Sequence, residues 1–364
     1  MNKWKLRIID FYIIKKFLGT FFFALILIIG IAVIFDVSEK IDDFMEKHAT
    51  LKQVVFDYYL NFIPYFAVLF SSLFTFIAVI FFTSKMAYNT EIIAILNSGM
   101  SFRRLMYPYM IGAAILATFS FVLSNYVIPD SNRRRIAFEE VYVRNSAYNY
   151  TKVNIHRQLD PGLLIYMERF SNSSEMGTRF SMERYKGDTL VSKLMSDYIK
   201  WDSIKNKWTI YNYYIRNING LKETIVKGNQ IDTTLKIHPD EFKRRENFVE
   251  TMSLGELDDL IKEQKLQGTE NINMMIIERD KRVAFPFSTF ILTMIGVTVS
   301  TRKIRGGIGV QIGTGLGLSF SYILFMQFSS QFAISGTLSP FLAAWIPNII
   351  FAVISVILYR MAPK

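Results

Sequence analysis

The side chains that could do covalent or metal chemistry are sparse in this chain, and they fall into no known catalytic spacing. There is no cysteine, which excludes a thiol nucleophile, a disulfide framework and a cysteine-held zinc. The three histidines, His48, His156 and His238, are far apart, and none belongs to an H-E-x-x-H pair. No G-x-S-x-G turn and no G-x-x-x-x-G-K-[ST] phosphate loop occurs. The Gly313-x-Gly315-x-Gly317 run lies in no βαβ unit and precedes no acidic ribose ligand, so it is not a dinucleotide motif. Enzymatic activity, a metal centre and a bound cofactor are therefore not expected. The remaining candidates are charges set against apolar surface: Glu91 in a basic and aliphatic stretch, Lys40 beyond the first apolar run, and Arg133, Arg134 and Arg135 after the third.

The elements that must position these charges are membrane spans. Six apolar runs, at 17–35, 58–83, 105–128, 283–301, 308–328 and 341–359, contain no Lys, Arg, Asp or Glu. Each is near the ~20 residues that cross a bilayer core. The net charge of +11 sits largely at their borders, so it indicates topology rather than a nucleic-acid partner. The start of the chain, the connections at 85–104 and 302–307, and the end are all basic. The connection at 36–57 is acid-balanced, and that at 329–340 has no charge. By the positive-inside bias both ends and two short loops are cytoplasmic, and the polar segment 129–282 is outside. The basic start leads into the first run without a small-residue cleavage site, so it reads as a retained anchor. Residues 6–17 suit either a helix lying in the headgroup region or a plain extension of the first span. Pro64 is expected to kink the second span, and Pro129 to end the third.

The expected organisation is an N-terminal membrane half at 1–128, an extracytoplasmic β domain at 129–252, a helical connector at 253–282 and a C-terminal membrane half at 283–364. Within 155–235, β-branched and aromatic runs alternate with turns at 172–174, 186–188, 205–207 and 219–220, which predicts an antiparallel sandwich or roll. Ser253 and Glu256 have capping-box spacing before a helix whose apolar face is Leu254, Leu257, Leu260 and Ile261, with Gly268 ending it.

Three features carry functional readings. In 85–104, Thr90 fits an N-cap, Glu91 complements the helix dipole and Gly99 fits a C-cap. The short helix between them, at about 90–98, places Ile92, Ile95 and Leu96 on one face. That face either rests on its own membrane or fills a groove on a soluble partner. In the fifth span, Gly309, Gly313, Gly317 and Ser321 recur every four residues. They are either a packing face for a neighbouring helix of this chain or a moving or dimeric interface. The arginines at 133–135 either anchor a stalk on lipid phosphates or contact an anionic lipid substrate. Spans without ionisable residues lack the marks of proton relays, so energy for any transport must come from a partner.

The segment T-E-I-I-A-I-L-N-S-G-M-S at 90–101 resembles the coupling loop of the LptF/LptG lipopolysaccharide-export permeases. Residues 8–20 resemble that family's opening helix, 281–289 (KRVAFPFST) the start of its fourth span, and 338–351 (LSPFLAAWIPNIIF) its P-x-x-A-A-W-x-P-N signature. Residues 201–214 resemble a hairpin of its periplasmic jellyroll. The resemblance implies an inner-membrane subunit that pairs with a second permease of this type and with a cytoplasmic, LptB-like ATPase dimer. Such a complex extracts lipopolysaccharide and passes it to LptC/LptA-like periplasmic jellyrolls. It further implies that Glu91 is the acidic coupling residue. Some members carry a basic residue in the outer part of the first span; here that neighbourhood is Ile34-Phe35-Asp36, and lipid phosphate contact would shift to Lys40. The alternative function for the same layout is a membrane-anchored sensor or assembly scaffold that signals to a cytoplasmic partner.

Overall fold

The computed structural model describes residues 6–143, 151–243, 246–267, 272–301 and 307–362. They form two compact units: one from the described residues within 1–143, 250–254 and 273–364, and one from those within 144–249 and 255–272.

The first unit is helical. Its N-terminal part comprises α1 (Ile8–Glu46), α2 (Leu51–Gln53), a π-helical turn (Val54–Tyr59), α3 (Leu60–Leu69), α4 (Ser71–Tyr88), α5 (Glu91–Asn97), α6 (Phe102–Val122), a second π-helical turn (Leu123–Val127) and α7 (Ile128–Tyr142). Among the described residues, six helices are long and apolar enough to cross a membrane. Residues 8–17 belong to α1 without a break, so the extension holds and a separate headgroup helix does not. α1 packs through Ile13, Phe17, Phe21, Leu25 and Ile29, a stripe four residues apart, and turns its other faces outward.

Both proline expectations need correction. The second span is interrupted at Phe70, between α3 and α4, rather than at Pro64. Pro64 lies in the first turns of α3, directly after a π-turn in which the regular ladder is already broken. Nor does Pro129 stop the third span. The π-turn closes with Ile128 N–H on Leu123 O, and Pro129 then occupies the first turn of α7, where its missing N–H costs little. The helix therefore carries Arg133, Arg134 and Arg135 on to Tyr142, and residues 129–142 are helical rather than part of the β domain.

The second unit is a six-stranded antiparallel sheet in the order β1 (Thr151–Asp160), β2 (Leu163–Ser171), β3 (Met176–Lys186), β4 (Thr189–Asp202), β5 (Lys207–Asn219) and β6 (Lys222–Thr233). The tight turns fall where the sequence places them: Gly187, Asn206 and Gly220 all have positive φ. One face buries Ile165, Phe170, Phe180, Ile199 and Trp208. Ile237 and Phe242, the latter in α8 (Pro239–Lys243), complete this core, and Trp208 Nε1 donates to Ile237 O at 2.9 Å. β6 is exposed along almost its whole length. After a 3-10 turn (Glu246–Thr251), α9 (Leu254–Gln267) follows Ser253 and buries Leu257, Leu260 and Ile261. The predicted terminator Gly268 lies outside the described residues.

The helical unit is completed by α10 (Ile272–Ser300), α11 (Gly307–Ile334) and α12 (Pro340–Met361). With no hydrophobic drive between helices in lipid, small side chains and hydrogen bonds hold such bundles together. Ser71 bonds Ser120 and Ser72 bonds Ser288, each at 2.8 Å, and Thr83 bonds Tyr109 at 2.9 Å. Asn348, in the W-x-P-N run, accepts from Tyr322 at 2.9 Å and donates to Ala284 O at 2.8 Å, tying α10, α11 and α12 together.

Candidate functional site

One end of the helical unit is built around α5. Only Asn89 and Thr90 separate α4 from α5, so Thr90 must reverse the chain. It does so at φ 64°, and its hydroxyl donates to Asn89 O at 2.6 Å. Thr90 thus ends α4 in the left-handed region and stands at the N-cap position of α5, where Ala94 N–H donates to its carbonyl at 3.0 Å but its side chain makes no capping bond. Gly99, at φ 87°, closes α5 as expected, its N–H on Leu96 O at 3.0 Å.

Glu91 is held from two sides. Tyr12 Oη of α1 donates to Oε2 at 3.1 Å, and Asn89 Nδ2 to Oε1 at 3.4 Å. Ile92 is fully buried in the cluster that contains Ile13, Phe17, Phe82 and Met86, and Ile95 and Leu96 pack against it. The shared aliphatic face therefore rests on its own chain. Ile92 cannot serve as a knob for a partner; Ile93, Ala94 and Asn97 are the exposed positions of α5. Below it, the buried carboxylate of Asp10 receives both terminal nitrogens of Arg104, at 2.7 and 2.5 Å, and Arg7 N–H at 2.7 Å. This fork fastens the start of α6 to the start of α1.

The opposite end holds the other candidate charges, and most are engaged within the chain. Lys40 Nζ lies 2.7 Å from Asp36 Oδ1, bonds Tyr58 Oη and sits over the Tyr58 ring. Tyr59 Oη donates to the other Asp36 oxygen at 3.1 Å. Arg135 is buried with its guanidinium 4.8 Å above the Tyr65 ring. Arg133 Nε donates to Thr251 O at 2.9 Å. Arg134 points to the exterior. Lys40 and Arg135 are therefore engaged within the chain, whereas the Arg134 side chain is exposed.

These contacts reveal a device that the sequence does not signal. Three successive carbonyls accept from three side chains: Glu250 O from Asn132 Nδ2 at 3.4 Å, Thr251 O from Arg133, and Met252 O from Arg282 Nη1 at 2.5 Å. α7 and α10 thus grip the 250–252 segment from both sides. Burial pushes the Glu250 carboxyl up to about 7; Glu278 and Glu139 add to the shift, and Arg135 and Arg282 oppose it.

The glycines of α11 divide by face. A Cβ on Gly315 would lie 2.1 Å from Ile80 Cδ1, so Gly315 makes the close approach to α4. Gly309, Gly313 and Gly317 meet nothing within 4 Å, and all three are exposed. Among the described residues, then, the four-residue stripe packs against no helix of this chain. α1 and α11 also bury the smallest shares of their apolar windows, 22% and 28%, against 72% for Ser71–Tyr88. No three metal-ligating side chains converge among the described residues.

The described residues thus form six candidate membrane spans interrupted by an antiparallel sheet domain, with a short helix fastened at one end of the helical unit: the architecture of a multi-pass membrane protein. The family described as "Lipopolysaccharide export system permease LptF/LptG" matches residues 11–361, and the chain belongs to it. No curated protein matches the sequence as a relative. Family membership makes the chain a multi-pass inner-membrane component of the lipopolysaccharide export system.

Proposed function

We propose that this chain is one of two permeases in an ABC transporter that lifts lipopolysaccharide from the outer leaflet of the inner membrane. In this reading the α5 end is cytoplasmic and docks on an LptB-like ATPase dimer, and the sheet domain is periplasmic. The observation that carries the proposal is α5 itself. It is short, sealed to its own bundle through Ile92, and presents Ile93 outward; Tyr12 of α1 holds its half-buried Glu91, and the Asp10–Arg104 fork ties α1 to the start of α6. A rigid projection of this kind can pass a push from a soluble motor to α1 and α6 without bending.

The open faces of α1 and α11 suit a second permease of the same family, with Gly309, Gly313 and Gly317 allowing close approach of a helix or a lipid. The exposed Arg134 suits a lipid phosphate. The exposed β6 edge suits pairing with an LptC/LptA-like jellyroll, since an edge strand offers unpaired backbone groups. ATP hydrolysis resides on the partner. The test is ATP hydrolysis by the assembled complex in proteoliposomes: stimulation by lipopolysaccharide supports the permease, and an ATPase that assembles but does not respond supports the sensor alternative.

A further inference from the structure

A cavity of about 600 Å³ opens where α1 meets the flank of α4, near the α5 end. Its polar rim is Tyr12, Lys15, Lys16 and Thr20, and its apolar wall is Phe23 and Phe81. Gly19 leaves the space between them unfilled, since a Cβ there would meet nothing within 4 Å. Both lysines are exposed, and among the described residues neither has a carboxylate partner. Asp10, the nearest acid along α1, is taken by Arg104, and Glu91 is bonded to Tyr12. Lys16 Nζ lies 5.7 Å from the centroid of the Tyr12 ring. Phe23 and Phe81 are 70% and 46% exposed, an apolar wall set directly beside two unpaired cations.

That combination fits a lipid: two ammonium groups flanked along two turns of α1 by the hydroxyls of Tyr12 and Thr20, with Phe81 of α4 beside them and Phe23 about two turns further along α1. We propose that this cavity binds an anionic phospholipid, with Lys15 and Lys16 at the headgroup phosphate and the acyl chains along Phe23 and Phe81. Clustered cations at a bilayer border attract anionic headgroups, and the aromatic wall turns a diffuse attraction into a seat. Because Tyr12 lines the cavity and also holds Glu91, the bound lipid would sit one side chain away from α5. The proposal rests on the membrane reading of the chain and is independent of lipopolysaccharide export.

The test uses the purified full-length chain in detergent, titrated with phosphatidylglycerol or cardiolipin and read by native mass spectrometry. Phosphatidylcholine and inorganic phosphate serve as comparisons. The K15Q/K16Q double variant should bind the anionic lipid roughly five- to thirtyfold more weakly, the factor expected for two cations at a membrane surface. K15R/K16R should retain binding, and K85Q/R103Q, which removes two other exposed cations near the same end, should bind as the parent does. Equal loss in K85Q/R103Q would reduce the site to general surface charge and overturn the proposal. So would equal binding of phosphatidylcholine, unchanged binding by K15Q/K16Q, or full competition by inorganic phosphate. Since neither ATP nor lipopolysaccharide is present, failure here leaves the export reading untouched, and failure of export leaves this result standing.

Discussion

Arg282 reaches back thirty residues to donate from Nη1 to the carbonyl of Met252 at 2.5 Å, and its Nε lies 3.1 Å from Glu278. This side chain is 5% exposed, so its bonds are shielded from water. Together with Asn132 and Arg133 it ties the 250–252 segment to α7 and α10.

Replacing Arg282 by Ala should therefore loosen the 250–252 segment. Losing a shielded charged hydrogen bond typically costs about 1.5–3 kcal/mol. Limited proteolysis of the detergent-solubilised chain should show faster cleavage near 250–252 and a lower unfolding temperature. An unchanged cleavage pattern would mean that the carbonyl contacts do not hold the segment.

Glu250 adds a pH dependence with a definite sign. Its folded value is raised from 4.5 to about 7, so the folded state binds the proton more tightly than the unfolded chain does. The stability this contributes is fully present below about 4.5 and is lost as the pH rises through about 7. Thermal unfolding measured across that window should show a decline, and Glu250→Gln should flatten it. A Glu250→Gln chain with the same pH slope as the parent would contradict this assignment.

The two glycine faces of α11 should respond differently to the same insult. Gly315→Leu must displace Ile80 in the buried contact with α4 and should lower stability, as overpacking commonly does by about 1–3 kcal/mol. A Cβ on Gly313 meets nothing within 4 Å and the position is exposed, so with Gly313→Leu membrane insertion and thermal stability should hold while lipid export falls. Normal export by Gly313→Leu would show that this face touches only bulk lipid.

Much of the architecture is legible in the sequence because the apolar runs are long and free of charge, and because Gly187, Asn206 and Gly220 mark their turns without ambiguity. The helix through Pro129 is not legible, since tolerance of that proline depends on a π-turn set by tertiary packing. The direction of Ile92 is hidden for a simpler reason: a seven-residue helix shows an apolar face but not which body covers it. The fate of Lys40 was signalled by Asp36 four residues earlier, a spacing that favours an ion pair on a helix. The grip on the 250–252 carbonyls has no sequence signature, because backbone acceptors are the same at every residue.

In the proposed function, α5 couples this permease to an ATPase through Glu91. Glu91→Lys reverses the charge at a half-buried helix start and breaks the bond from Tyr12. Where a carboxylate pairs with a cation across a desolvated interface, removing one side costs about 2–5 kcal/mol, far more than the ~0.3–1 kcal/mol of a helix-end charge. Lys85→Gln, at an exposed and screened position, should change little. The direct measurement is co-purification of the ATPase together with lipopolysaccharide release from membranes for the parent and both variants. Glu91→Lys should lose most of both while Lys85→Gln keeps them; full association and full release by Glu91→Lys would show that α5 does not couple through Glu91.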